Sequence, residues 1–184
     1  MLKLKDITLA SNIKMPPIGL GVYKMQEGLE MNQAVKAAYE NGYRLFDTAQ
    51  MYGNEAALGT ALKENNIPRE DIFLVSKVDN RNQWYDQTLE SLKITLEKLQ
   101  TSYLDAFLVH WPGQNKERTI STWKAMEEAY ESGLVKSIGV CNFEIGQLQY
   151  LMEHCRIQPM INQIEYSPLF HQPELVSYCK EHQI

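Results

Sequence analysis

Residues 42–64, GYRLFDTAQMYGNEAALGTALKE, predict one strand, one loop and one helix in succession. The aliphatic and aromatic run at 43–46 predicts a short buried strand, and Asp47 follows at its end. Asn54 stands directly before residues 55–64, which predict a helix with Asn54 as its N-cap. This stretch is therefore one strand–helix unit that places a polar side chain where its strand ends.

Comparable units recur at intervals of roughly 30 residues, the spacing typical of strand–helix repeats in parallel sheets. The predicted strands are 18–22, 43–46, 72–75, 104–109, 137–140 and 160–164. The predicted helices are 32–40, 55–64, 87–99, 122–130, 145–152 and 173–180. Residues 7–15 follow a different pattern, which predicts a small β-hairpin before the first unit. Together these elements predict an α/β fold with one parallel sheet.

Two parallel architectures are compatible with this order of elements. A doubly wound sheet usually carries a glycine-rich phosphate turn after its first strand, but residues 19–21, GLG, are followed by no third glycine that opens a helix. In a (β/α)8 barrel, functional side chains gather at the carboxyl ends of the strands. Asp47, Lys77, His110 and Asn142 all stand at predicted strand ends. The pattern therefore favours the (β/α)8 TIM-barrel type, with the glycines of 19–21 packed closely in the barrel core.

The length of the chain limits how much of such a barrel it forms. A complete (β/α)8 barrel takes about 250 residues, whereas this chain has 184. We therefore expect residues 1–184 to form a single barrel domain, C-terminally truncated, that lacks its last two βα units. Such a barrel would be open, and its two edge strands would offer unpaired backbone groups for self-association.

Charge and composition exclude several classes of protein. The chain has 18 basic and 23 acidic residues and a net charge of −5, so it offers no basic face for nucleic acid or anionic membranes. No apolar run reaches membrane-spanning length, and the opening stretch 1–12 lacks the apolar core of a signal peptide. Three cysteines without C-x-x-C spacing indicate a reducing, cytoplasmic location. His154 and Cys155 are adjacent, a poor arrangement for metal ligation, so we expect no metal site.

The strand ends hold a set of residues suited to proton transfer. Asp47, Lys77 and His110 end three successive predicted strands, and Tyr52 lies on the loop after the first of them. A phenol has a pKa near 10 and is a weak acid at neutral pH, but a nearby ammonium favours its phenolate. We therefore predict that Lys77 lowers the pKa of Tyr52, that Asp47 holds Lys77, and that His110 hydrogen-bonds a carbonyl oxygen.

Several segments resemble the aldo-keto reductases. They are MPPIGLGVY, GYRLFDTAQMYGNE, IPREDIFLVSKV, SLKITLEKLQTSYLDAFLVHWPG, TWKAMEEAYESGLVKSIGVCNF and INQIEYSP. The resemblance extends over essentially the whole chain and implies a (β/α)8 barrel that reduces aldehydes and ketones with NADPH, or with NADH.

The resemblance also implies residue roles. The family's catalytic aspartate, tyrosine, lysine and histidine match Asp47, Tyr52, Lys77 and His110. The implied nicotinamide-binding residues are Asn142 and Gln163, with Cys141 beside them where serine is also common. The implied substrate-binding residues are Trp111 and Tyr23, together with His110, and the implied partner is a small-molecule carbonyl compound.

Some features depart from the family pattern. Asp79 stands where close relatives often have a tryptophan, which would change the shape of the substrate pocket. The aromatic residue that stacks on the nicotinamide belongs to the family's seventh strand, and residues 166–169, YSPL, follow strand six instead. The basic residues that bind the 2′-phosphate of the cofactor are likewise not matched.

Two alternatives to a carbonyl reductase remain open at this point. The incomplete cofactor site is compatible with a non-catalytic, reductase-like binding or regulatory module. An unrelated barrel enzyme could use Lys77 to form a Schiff base, as an aldolase does, although pairing with Asp47 would keep that lysine charged.

Overall fold

The structure is a computed structural model that describes residues 5–184. Part of the opening stretch that we interpret as unlike a signal peptide, residues 1–4, lies outside the described residues. Strands β1 (Ile7–Thr8) and β2 (Lys14–Met15) pair antiparallel, as the sequence predicts for a hairpin. Between residues 5 and 184, no helix combines the length and the apolar composition that spanning a lipid bilayer requires.

The rest of the chain forms a curled parallel sheet covered by helices. Its strands are β3 (Gly19–Gly21), β4 (Leu45–Asp47), β5 (Phe73–Val78), β6 (Ala106–Val109), β7 (Ile138–Cys141) and β8 (Asn162–Gln163). Each strand pairs with the next one along the chain, in the order β3-β4-β5-β6-β7-β8. A doubly wound sheet reverses its strand order at a switch point, so this sequential order confirms the barrel-type arrangement.

One helix follows each strand of the sheet. The helices are α1 (Leu29–Glu40), α2 (Glu55–Glu64), α3 (Tyr85–Lys98), α4 (Lys116–Glu131), α5 (Ile145–His154) and α6 (Pro173–Glu181). Helix α4 begins six residues before its predicted start at 122, because the side chain of Asn115 accepts a hydrogen bond from the backbone amide of Arg118 and caps a polar first turn. The apolar periodicity of α4 begins only after this turn, and the sequence prediction was based on that periodicity.

Apolar side chains are buried on both faces of the sheet. The outer face packs against the helices, where Leu92 and Leu96 of α3 are among the buried side chains. The inner face holds a smaller cluster that includes Phe73, Val75 and Leu108, and Leu9 of the hairpin packs into it. The hairpin thus covers the amino ends of the strands, and the carboxyl ends remain open.

The paired glycines near residue 20 belong to strand β3 itself and not to a phosphate-binding turn. A Cβ atom added at Gly19 would overlap the side chain of Leu45 on the neighbouring strand. Close packing is therefore confirmed at Gly19, but the expected place in the core is wrong, because Gly19 and Gly21 are exposed on a strand at the edge of the described sheet.

Candidate active site

Four polar side chains meet at the carboxyl ends of three adjacent strands. Asp47 ends β4, and Tyr52 lies in a single 3₁₀ turn, Gln50–Tyr52, between β4 and α2. His110 directly follows β6. The predicted strand 72–75 extends to Val78, so Lys77 is part of β5 and does not follow it as the sequence suggested. Because Lys77 lies inside the strand, its backbone is fixed by the sheet.

Lys77 is buried, and its ammonium group is hydrogen-bonded to two neighbouring residues. Its side chain is 1% exposed, and Nζ donates hydrogen bonds to Oδ1 of Asp47 at 2.5 Å and to the backbone oxygen of Thr48 at 2.9 Å. Nζ also lies 5.1 Å from the centroid of the Tyr52 ring. The structure thus contains the ion pair that we expected. This arrangement argues against Schiff-base chemistry, which needs a neutral, accessible amine.

The surroundings of Tyr52 raise the pKa of its phenol, whereas we predicted that they would lower it. The Tyr52 ring is partly buried, and this burial raises the pKa of Tyr52 above 10. The Lys77 ammonium lowers the same pKa, but by less. The carboxylate of Asp47 raises the same pKa further and offsets part of the lysine's field. Tyr52 is therefore a protonated phenol at neutral pH, and the predicted net fall of its pKa is wrong.

His110 borders Tyr52 with an uncharged ring. The two ring centroids are 5.6 Å apart and the planes meet at 77°, an edge-to-face contact. Burial, reinforced by the positive charge of Lys77, lowers the pKa of His110 to about 4. The buried Nδ1 atom has no hydrogen-bond partner within residues 5–184. His110 is thus a neutral imidazole that offers one ring N–H group as a hydrogen-bond donor.

We expect His110 to titrate with a midpoint near 4 when its ring signals are followed by NMR as the pH is lowered. An unfolded histidine has a pKa near 6.5, so the unfolded chain binds the proton first. The free energy of unfolding should therefore fall as the pH drops from about 6.5 to about 4. His110→Asn should remove this part of the pH dependence, and a His110 midpoint near 6.5 would contradict the neutral assignment.

The three residues assigned to cofactor binding lie next to this cluster. Gln163 Nε2 donates to Oδ2 of Asp47 at 3.1 Å, and the Cys141 thiol donates to Gln163 Oε1 at 3.7 Å. Asn142 Nδ2 donates to the backbone oxygen of His110 at 3.1 Å. Burial raises the pKa of Cys141 to about 12, so this thiol is an inert small side chain.

The two aromatic residues assigned to the substrate have different surroundings. Tyr23 follows β3, and its ring centroid lies 4.8 Å from that of Tyr52. Trp111 is exposed, and its backbone oxygen accepts a hydrogen bond from Gln83. No contact between the rings of Trp111 and Tyr52 is found in the part of the chain that the structure describes. The structure therefore brings Tyr23 to the phenol and leaves Trp111 at the rim.

Asp79, the residue that departs from the family pattern, is buried behind this rim. Its carboxylate accepts hydrogen bonds from the backbone amide and the guanidinium of Arg81. The hydrogen bond from Arg81 lowers the pKa of Asp79, so the side chain is an anion. The loop after β5 therefore begins with a charged pair, the buried Asp79 and the exposed Arg81.

Polar residues that the sequence did not single out hold the Tyr52 turn in place. Gln50 Oε1 accepts from the Asp79 amide and from Asn82 Nδ2, each at 2.9 Å. The predicted capping role of Asn54 is wrong, because its side chain makes no hydrogen bond to the first turn of α2 and points into the protein instead. A signal was present, since Gln50 and Asn54 flank Tyr52 in the same short loop.

The fold and the site together define a class of protein: a (β/α) barrel type that gathers titratable side chains at the carboxyl ends of its strands. Residues 17–184 match the Aldo/keto reductase family. The chain belongs to this family, which confirms the resemblance seen in the sequence.

Individual relatives agree with this assignment. A glyoxal reductase from Bacillus subtilis (strain 168) is 45% identical over 178 residues, which cover 96% of this chain and 64% of that relative. The crystal structure of an aldo/keto reductase from Brucella melitensis superposes with a TM-score of 0.93 at 40% identity, covering 97% of this chain and 70% of the other. A Bombyx mori aldo-keto reductase in complex with NADP superposes with a TM-score of 0.89 at 32% identity, covering 100% and 65%. The chain thus spans about two thirds of the length of these relatives.

Proposed function

We propose that this chain carries the proton-transfer site of an oxidoreductase that reduces aldehydes and ketones to alcohols with NADPH. The observation that carries the proposal is the buried Lys77–Asp47 pair beside the ring of Tyr52, with the neutral ring of His110 alongside. Family membership and the name of the Bacillus subtilis relative support the same activity.

In this proposal Tyr52 is the general acid. Its raised pKa keeps the proton on the phenol at neutral pH, and the alkoxide that develops during reduction is basic enough to take it. Lys77 stabilises the phenolate left behind, and Asp47 orients the ammonium. His110 donates a hydrogen bond from its ring to the carbonyl oxygen and thereby fixes the direction of proton transfer.

Asn142 and Gln163 fit a nicotinamide ring. Their side-chain amides offer the donors and acceptors that complement a carboxamide, and the hydrogen bond from Gln163 to Asp47 places one of them within the proton-transfer cluster. Cys141 would line the same surface as a small, unreactive side chain. The cofactor supplies the hydride when bound. The NADP complex of the Bombyx mori relative supports NADPH, and NADH is the alternative.

We further propose that Tyr23, Trp111 and His110 contact the substrate. The ring of Tyr23 lies against that of Tyr52 at a tilt of 46°, and the exposed Trp111 follows His110 at the rim. The pair of buried Asp79 and exposed Arg81 makes the neighbouring loop polar where an indole would be apolar. A small, polar 2-oxoaldehyde suits such a pocket, in agreement with the name of the glyoxal reductase relative.

The test follows NADPH absorbance when purified protein is mixed with glyoxal, while NMR identifies the alcohol formed. We expect cofactor oxidation that depends on glyoxal, with deuterium from labelled NADPH appearing on the product carbon. Cofactor binding without turnover would contradict the proposal and favour the non-catalytic binding module. Borohydride trapping of glyoxal on Lys77 would contradict it in favour of Schiff-base chemistry.

Two further features of the protein are proposed on separate grounds. The free cysteines Cys141, Cys155 and Cys179 support a reducing, cytoplasmic location.

Strands β3 and β8 are the outermost strands of the sheet in the described residues, and their unpaired edges support self-association. Sedimentation velocity tests the second point, because a single monomeric species at all protein concentrations would contradict it.

A further inference from the structure

Asn54 connects three segments around the candidate active site. Its side chain is 4% exposed, and Nδ2 donates to the backbone oxygen of Val22 at 2.8 Å and to that of Met25 at 3.3 Å. Its Oδ1 accepts from the hydroxyl of Thr48 at 3.1 Å. None of these three hydrogen bonds is made to helix α2. The side chain of Asn54 therefore ties together segments at the strand ends and does not cap the helix that follows it.

The segments that Asn54 joins carry the aromatic residues of the site. Residues 22–25 form a tight turn in which Lys24 has a φ of 63° and the Met25 amide donates to the Val22 oxygen at 3.0 Å. Tyr23 lies at the centre of this turn, with its ring against Tyr52. Apart from that internal bond and the Asn54 amide, the Val22 and Met25 oxygens have no hydrogen-bond donor within residues 5–184.

The remaining contact of Asn54 reaches the ion pair. Thr48, whose hydroxyl donates to Asn54, also provides the backbone oxygen that accepts from Lys77 Nζ at 2.9 Å. A change at Asn54 therefore acts first on the carbonyl groups of the Tyr23 turn, whose other bond to the sheet runs from the Val22 amide to the Asp47 oxygen at 3.0 Å. It acts less on Lys77, which keeps its bond to Asp47.

We propose that Asn54 is a positioning residue that holds the Tyr23 turn against Tyr52 and so fixes one wall of the substrate pocket. Its link to turnover rests on the proposed carbonyl reduction. The amide group is required because Nδ2 is a donor with two hydrogens that face two backbone oxygens. A hydroxyl or a carboxylate at this place cannot satisfy both.

The test compares substitutions that preserve an N-cap with one that does not. Serine and aspartate are as good N-caps as asparagine, whereas alanine is poor. If Asn54 only capped α2, the protein would keep its stability in Asn54→Ser and Asn54→Asp and lose stability only in Asn54→Ala. We expect instead that all three variants raise the KM for glyoxal by about tenfold or more, with a smaller fall in kcat, because a displaced wall weakens substrate orientation.

A readout independent of turnover is the NMR cross-relaxation between the rings of Tyr23 and Tyr52. We expect it to disappear in all three variants and to remain in Asn65→Asp, a matched control. Asn65 is the C-cap residue directly after α2, and its side-chain amide also donates to a backbone oxygen, that of Ala61 at 2.8 Å, but away from the site. Because Asn54→Ser introduces no charge, it decides the question if Asn54→Asp fails to fold.

Wild-type ring contacts and wild-type KM in Asn54→Ser would overturn the proposal, because the Tyr23 turn would then keep its place without the amide. If the wild-type protein shows no reductase activity, the proposed function fails, but loss of the ring contact in these variants would still support the positioning role. Retention of the ring contact in Asn54→Ser would refute the positioning role in either case.

Discussion

Tyr52→Phe is expected to abolish carbonyl reduction and to leave cofactor affinity nearly unchanged. The substitution removes only the hydroxyl, so the ring still packs against Tyr23 and His110. General acid catalysis typically contributes 10²–10⁴-fold to a rate, and we expect kcat to fall by about that factor. Stopped-flow measurement of glyoxal-dependent NADPH oxidation, with cofactor binding measured by fluorescence, checks both parts.

Tyr23→Phe is the matched control for the loss of a phenol hydroxyl. Tyr23 lies beside Tyr52 but is largely exposed, and it has no place in the proposed proton transfer. We expect a change in KM and only a small change in kcat. If Tyr52→Phe kept more than about a tenth of the wild-type kcat, Tyr52 would not be the general acid.

The raised pKa of Tyr52 gives this assignment a pH signature. The acid must be protonated to act, and burial keeps the pKa of the phenol above 10. The rate limited by Tyr52 should therefore stay level through neutral pH and fall only as the solution passes that raised value. A fall centred between pH 7 and 8 would mean that another group donates the proton.

Lys77→Met should damage both activity and stability. Methionine fills a volume similar to that of the buried lysine side chain but leaves the carboxylate of Asp47 without its partner. Breaking a buried ion pair from one side costs about 3–5 kcal/mol, and we expect the free energy of unfolding to fall by that order in urea denaturation. The kcat should fall by about 10² or more, because the phenolate of Tyr52 loses its nearest cation.

Asp47→Asn breaks the same buried ion pair from the other side, so we expect a comparable loss of stability. This variant keeps the shape of the side chain and removes its charge, and we expect a smaller loss of kcat than for Lys77→Met. In the double variant the two losses should not add, because both residues act through Tyr52 in one network. Strict additivity of the two activation penalties would show that they act independently and would contradict a shared action through Tyr52.

Much of the fold follows from local patterns. The six strands and six helices are found where apolar periodicity predicts them, although boundaries shift by several residues, as at the start of α4. Asp47 and Lys77 were expected to meet because adjacent parallel strands bring their carboxyl ends together, and their pairing distance of 2.5 Å agrees with this. These features depend on the order and period of residues, which the sequence contains directly.

The direction of individual side chains and the balance of opposing electrostatic effects required the folded protein. Asn54 has a sequence context typical of an N-cap, but its amide turns towards two backbone oxygens that come from a segment about 30 residues away. The pKa of Tyr52 depends on burial and on the Lys77 charge with opposite signs, and only the packed ring shows that burial prevails. The sequence by itself thus determined the barrel-type fold and which residues gather at its open end. The tertiary structure decided how those residues are oriented and protonated, because orientation and burial depend on contacts between segments that are distant along the chain.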